Sequence, residues 1–483
     1  MRRFIATIAF VSTTLASAQE PGVMTEWLYV GSDQAHTKYS AAEEITAANV
    51  GELKIAWQWE PNEMPLDEYG TRPGPFQATP IMVGNVLYIS TMYTRVVALD
   101  AERGLLYLPT STPSSDYWGG RRVGANLFAE SLVCLDARTG ERQWHFQAVH
   151  HGVWDYDLAA APNLVTIIVG GREVEAVAQV SKHGFTYVFD RVTGEPVWPI
   201  EERAVDTATD VPGEVLYPTQ PFPTKPPPFS IQGVSLEDAN DLTPEIHALA
   251  VAEMQRFRLG PLFTPPSLQG TLQRPGASGG VNWGGAAFDP ETGLLYVRTS
   301  EDADTNQICA NSGDDPRVDV DYSNNCPYGA TLFMFSEAGG PGTVQASESE
   351  LGPIPLTKPP YAHLVSIDLN AGEIAWKMPF GEGSKEIREH PLLRGVNLPE
   401  RLGTSGNSGP MVTRGGVVFL GGGDPYLYAF DKATGAEIWR GATPFKTTAN
   451  PMTYRTRSGR QFVVIATGAG SDAALVAFAR SGQ

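Results

Sequence analysis

The feature that most constrains this chain is a corner that recurs along it. The pattern apolar-x-apolar-Asp-x-x-Thr-Gly-x-x-x-Trp occurs at Asp136-Thr139-Gly140-Trp144, Asp190-Thr193-Gly194-Trp198 and Asp431-Thr434-Gly435-Trp439. Asp368-Gly372-Trp376 is a copy with Ala371 in place of Thr, and Asp289-Thr292-Gly293-Tyr296 a shortened variant. Residues 49–57, ending on Trp57, read as a degenerate first copy. In each copy a strand ends at Asp, whose carboxylate can accept backbone N–H bonds across the turn. Gly then takes the backbone conformation that closes the hairpin. The next strand carries an aromatic ring able to pack on the neighbouring unit. A small sheet cannot bury both faces alone, so such units stack radially into an all-β propeller. Further strand-like runs at 79–90, 164–169, 174–180 and 416–421 allow four strands per blade.

The remaining composition agrees. Forty-two per cent hydrophobic residues over 483 positions supply a real core, and 50 Gly with 38 Pro punctuate many short runs. A net charge of −19 argues against a nucleic-acid partner, which needs Lys and Arg to neutralise phosphate. Arg2 and Arg3, the apolar run 4–15 and Ala16-Ser17-Ala18 read as a signal peptide over residues 1–18. The expected location is therefore periplasmic or secreted. No later run is long and apolar enough to cross a membrane. Residues 19–483 form one expected propeller domain, with loop-rich insertions at 199–280 and 300–360. Within the first, the proline-rich 218–229 is expected to form no ladder and to lie as a polyproline-like strap. It leads to one short helix within 243–258. Cys309 and Cys326 flank a polar loop that a disulfide would close in an oxidising compartment, whereas Cys134 sits in an apolar run.

Chemistry concentrates at residues 150–157, His-His-Gly-Val-Trp-Asp-Tyr-Asp. Strands are depleted in Asp, and a buried Asp needs a partner. The segment lies between two strand-like runs, so it is a strand-end loop, the usual seat of catalytic groups. Asp155 is the candidate base. Lys182, on the next apolar run, is its candidate electrostatic partner, and His151 lies beside the base where it can order the loop.

These motifs, with Ser181-Lys182-His183-Gly184, Gly280-Val281-Asn282-Trp283-Gly284-Gly285 and Pro451-Met452-Thr453-Tyr454, resemble the quinoprotein dehydrogenases that use pyrroloquinoline quinone (PQQ). The run 106–120 and the proline-rich 218–229 place the resemblance in the glucose, quinate and polyol dehydrogenase branch. It implies oxidation of an aldose, polyol or cyclic alcohol, with electrons passed to a quinone or cytochrome. By the same resemblance Asp155 takes the hydroxyl proton and Lys182 stands beside the quinone oxygens. Asn282 and Trp283 contact the cofactor. Ca²⁺, or Mg²⁺ in one branch, accompanies PQQ and wants oxygen ligands. At the matching place this chain offers the hydroxyls of Thr112 and Ser114, where many relatives carry Asn at the Thr112 position. The charged carboxylate ligand is not found.

The resemblance also implies eight blades, and this chain is too short for them. The strand ending at Asp100 runs through Ala101-Glu102-Arg103-Gly104 directly into the blade before the catalytic loop. Roughly two to three blades are missing there. The junction mirrors the turn at Asp289-Pro-Glu-Thr-Gly293, as a deletion joining two similar turns would leave it; the alternative is a natural shorter propeller that never had those blades. About five to six blades remain, as a smaller ring or an open arc, with half of the cofactor cradle gone and weak cofactor binding expected. The other reading is a non-catalytic propeller that scaffolds or binds proteins.

Overall fold

In a computed structural model, the structure describes residues 26–59, 77–83, 86–88, 98–100, 105–136, 139–311, 320–324, 326 and 350–480. The leader expected at 1–18 and the junction at 101–104 lie outside the described residues. Five antiparallel sheets follow one another as blades. Blade I holds Ala98–Asp100, Leu105–Pro109, Ser131–Asp136 and Arg142–Gln147. Blade II holds Asn163–Val169, Arg172–Val180 and Thr186–Asp190. Blade III holds Ala286–Asp289, Leu294–Ser300, Ala362–Asp368 and Glu373–Pro379. Blade IV holds Met411–Thr413, Val417–Gly421, Tyr426–Asp431 and Glu437–Ala442. Blade V holds Met452–Arg455, Gln461–Thr467 and Ala474–Arg480, and takes Leu53–Trp59 as its outer strand. The degenerate copy at 49–57 thus completes the last blade. A two-stranded ladder, Ile81–Val83 with Val86–Tyr88, is a further fragment.

The recurring corner is built as its residues dictate. Asp190 Oδ1 accepts from the amides of Val192 and Thr193, at 3.0 and 2.8 Å, and from the Thr193 hydroxyl at 3.1 Å. Asp431 repeats this with Ala433 and Thr434. The glycine serves twice. Gly194 has φ of 75°, and a Cβ on it would stand 2.6 Å from the Trp144 ring of blade I. Trp198 lies in the same way on Gly372, and Trp376 on Gly435. Trp144, Trp198 and Trp376 therefore each seat on the corner glycine of the following blade, which sets the radial stacking of blades I to IV.

Buried apolar clusters join I to II, II to III, III to IV and IV to V. Among the described residues none joins V back to I. The N-terminal segment is the hub. Ala35 accepts from Leu164 of blade II, Thr37 from Phe288 of blade III and Lys38 from Val412 of blade IV. Tyr39–Ser40 then pairs in parallel with Met411–Thr413.

Both insertions carry structure. Pro244–Met254 is the expected helix, capped by the Thr243 hydroxyl and burying Ile246, Ala250 and Met254. The strap is a correction, because Thr219–Pro223 pairs with Ile200–Ala204 over five positions. Pro221 and Pro223 occupy alternate positions, so their missing N–H groups fall on one side of the strand. Cys309 and Cys326 are joined as a disulfide, and Cys134 is buried. Thr271–Gln273 of the first insertion pairs with Asp304–Asn306 of the second.

Candidate active site

The loop between blades I and II presents Asp155. Its φ is 56°, and that of His151 is 49°. Such backbone costs about 1–3 kcal/mol per residue and persists only where the surroundings hold it. Here the flanking aromatics do so. Trp154 donates to the Thr264 carbonyl at 2.8 Å and Tyr156 to the Pro275 carbonyl at 2.7 Å, both fully buried. With 154 and 156 anchored in the core, the two carboxylates meet one cation. Lys182, just beyond the strand Arg172–Val180, places Nζ 3.1 Å from Asp155 Oδ2 and 2.6 Å from Asp157 Oδ1. Gly279, at φ 77°, lets the next loop lie on Lys182, since a Cβ there would come within 2.5 Å of that side chain.

Electrostatics follow from this crowding. Burial pushes Asp155 up to about 6; Lys182 pulls it down, and Asp157 and Asp116 push it up further. Burial alone would lower Lys182, but Asp155 and Asp157 outweigh it and hold the ammonium above its usual range. Glu130, fully buried behind the loop, is lifted to about 8 by burial and by Asp157.

Asp155 and Lys182 open onto a pocket of about 320 Å³, within the range of small-molecule sites. Asn282 lines it, its amide bonded to the Ser278 carbonyl at 2.9 Å. Trp283 is half-buried outside the lining, and the aromatic ring on the pocket wall is Tyr117. His151 is buried off the pocket, held by the Gly124 carbonyl and Glu214, each at 2.8 Å. It positions the loop. Thr112 places its hydroxyl 3.4 Å from Asp155 Oδ1, whereas Ser114 is exposed and lies outside the lining. The structure thus brings together Asp155, Lys182, Asn282 and Thr112.

Sequence reasoning missed Asp304, Thr305 and Asn306, which line the pocket from within the second insertion. Asp304 Oδ1, Thr305 Oγ1 and Asn306 Oδ1 are buried without a protein partner among the described residues. A signal was present, because Glu301-Asp302-Ala303-Asp304-Thr305-Asn306 is as dense in polar groups after a strand as 150–157. Glu130 was also missed, since it sits one residue before an apolar strand and gives no motif.

PQQ would meet two donors here, the Lys182 ammonium and the Asn282 amide, which suit its quinone and carboxylate oxygens. Lys182 already faces Asp155 and Asp157, so a cofactor bearing carboxylates needs an added cation beside it. The residues fit the group on that condition.

The β-propeller domain model described as PQQ glucose/ethanol/alcohol dehydrogenase matches residues 27–104 and 100–463. The two matches meet at 100–104, the junction read from the sequence. A quinate/shikimate dehydrogenase (quinone) of Acinetobacter baylyi is 30% identical over 88% of this chain and 51% of its own length. The quinoprotein glucose dehydrogenase of Escherichia coli is 30% identical over 87% and 51% respectively. The chain thus spans about half the length of these curated relatives. Quinohemoprotein alcohol dehydrogenase from Comamonas testosteroni shares the fold, with a TM-score of 0.58 at 17% identity over 97% of this chain and 82% of that one. Corner, the loop at residues 150–157 and matched length agree, and the chain belongs to the PQQ-dependent dehydrogenase β-propeller family.

Proposed function

We propose that this chain binds PQQ and oxidises an aldose, polyol or cyclic alcohol, passing electrons to a quinone or cytochrome. One observation carries the reading, the Lys182–Asp155 pair at 3.1 Å on a pocket wall. PQQ, when bound, supplies the two-electron quinone that accepts hydride from the alcohol carbon. Asp155 takes the hydroxyl proton, and at neutral pH a carboxyl near 6 is ionised and ready. The Lys182 ammonium stabilises negative charge developing on the facing oxygen. Asp304 Oδ1 and Asn306 Oδ1, without partners among the described residues, suit a substrate rich in hydroxyl donors.

Half a cradle means weak affinity, because fewer groups fix the flat ring. The Arg2–Ala18 pattern supports export, as does a disulfide suited to an oxidising compartment. Sugar- or polyol-dependent dye reduction by the PQQ- and Ca²⁺-loaded protein tests the reading. Activity lost in Asp155→Asn supports it, and wild-type inactivity with cofactor bound contradicts it.

A further inference from the structure

The carboxylate absent from the expected cation site has a candidate in the fold. Glu130 is wholly buried, and its Oε2 has no hydrogen-bond partner among the described residues. Its carboxyl is packed against Gly152, where a Cβ would come within 1.8 Å of it. Thr112 Oγ1 lies 3.3 Å from Glu130 Oε1 and 3.4 Å from Asp155 Oδ1. Both are long for O–H···O bonds, which centre near 2.7–2.8 Å. They match the edges of a calcium shell. Oxygens about 2.3–2.6 Å from Ca²⁺ at right angles stand about 3.3–3.7 Å apart, whereas around Mg²⁺ the edge is about 2.8–3.0 Å.

We propose that Glu130 Oε1, Thr112 Oγ1 and Asp155 Oδ1 form one face of a calcium site, with Glu130 as the charged ligand this chain uses. Its catalytic role rests on the proposed PQQ chemistry, but the binding itself does not. Charge supports a divalent ion. Asp116, Glu130, Asp155, Asp157, Asp304 and Glu214 act on Lys182 and Arg122, so carboxylates outnumber fixed cations here. Among the described residues no three His, Cys, Asp or Glu side chains converge on one point. In this proposal the hydroxyl of Thr112 is the middle ligand, between Glu130 Oε1 and Asp155 Oδ1. Asp155 keeps Oδ2, on Lys182, at the pocket.

The test uses the full chain without PQQ, so that failure of the redox reading leaves it intact. Calcium and magnesium are titrated separately by calorimetry and by thermal shift, for wild type, Glu130→Gln and Thr112→Val. Wild type is expected to bind one Ca²⁺ at the weak end of protein sites, about 10⁻⁴–10⁻³ M, and to prefer it to Mg²⁺. Glu130→Gln is expected to lose at least tenfold in Ca²⁺ affinity while melting no lower than wild type in chelator, which separates loss of the site from loss of fold. Thr112→Val is expected to lose less. Equal Ca²⁺ affinity in wild type and Glu130→Gln, or no Ca²⁺ binding by wild type, overturns the proposal.

Discussion

At the scale of the residue, the site is a balance among carboxylates and one ammonium. In the proposed reaction Asp155 must be ionised to act, and its carboxyl sits near 6. Turnover should therefore fall as pH drops through about 6, and a pH–rate profile of the loaded protein checks this. Asp155→Asn should cost about 10²–10⁴-fold in kcat with the fold intact. Lys182→Ala should do more, because it leaves Asp155 and Asp157 without their cation. Breaking such a buried pair costs about 3–5 kcal/mol, which denaturant melts would read directly. The pairing of Asp155 with Lys182 was legible in the sequence because no packing rule asks for two carboxylates beside two aromatics. Glu130 was not legible, since its meaning depends on Thr112, which lies 18 residues away and meets it only in space.

At the scale of the element, the corner repeat explains its own residues. Gly140 and Gly194 share a positive φ of 75°, yet a Cβ on Gly140 meets nothing within 4 Å, while one on Gly194 meets Trp144. Gly140→Ala should thus cost only the backbone term, about 1–2 kcal/mol. Gly194→Ala should add about 1–3 kcal/mol from overpacking against the ring. Equal losses in urea melts would show that the Trp seat contributes nothing. Blades were readable because Asp, Gly and Trp each answer to a local rule. The strand Thr219–Pro223 was not, because the prolines that argue against a ladder happen to fall on alternate positions. Nor was the pairing of Thr271–Gln273 with Asp304–Asn306, which joins two insertions and supplies a pocket wall.

At the scale of the whole molecule, the described residues form five blades and a fragment, where relatives of about twice the length are matched. The hub at residues 31–40 ties blades II, III and IV together without requiring a complete circle. Two carboxyls of the second insertion are buried at a cost, Asp304 on the pocket wall and Asp302 behind it on Ser405. Burial lifts Asp302 to about 8 and Asp304 to about 6, both above the usual 3.8. Native chains then hold more protons than unfolded ones between about pH 4 and 8, so stability from these groups declines as pH rises through that window. Asp302→Asn should flatten the decline by about 1 kcal/mol per pH unit, measured by melts between pH 5 and pH 8 in chelator. The central claim is that this shortened propeller still forms one working wall of a PQQ site around Lys182. Equilibrium dialysis of PQQ against the purified chain, with Ca²⁺ present, tests it most directly. The account expects weak saturable binding that Lys182→Ala and Asn282→Ala each reduce severalfold. No binding to wild type at high micromolar PQQ would contradict it, and would leave a propeller that scaffolds rather than oxidises.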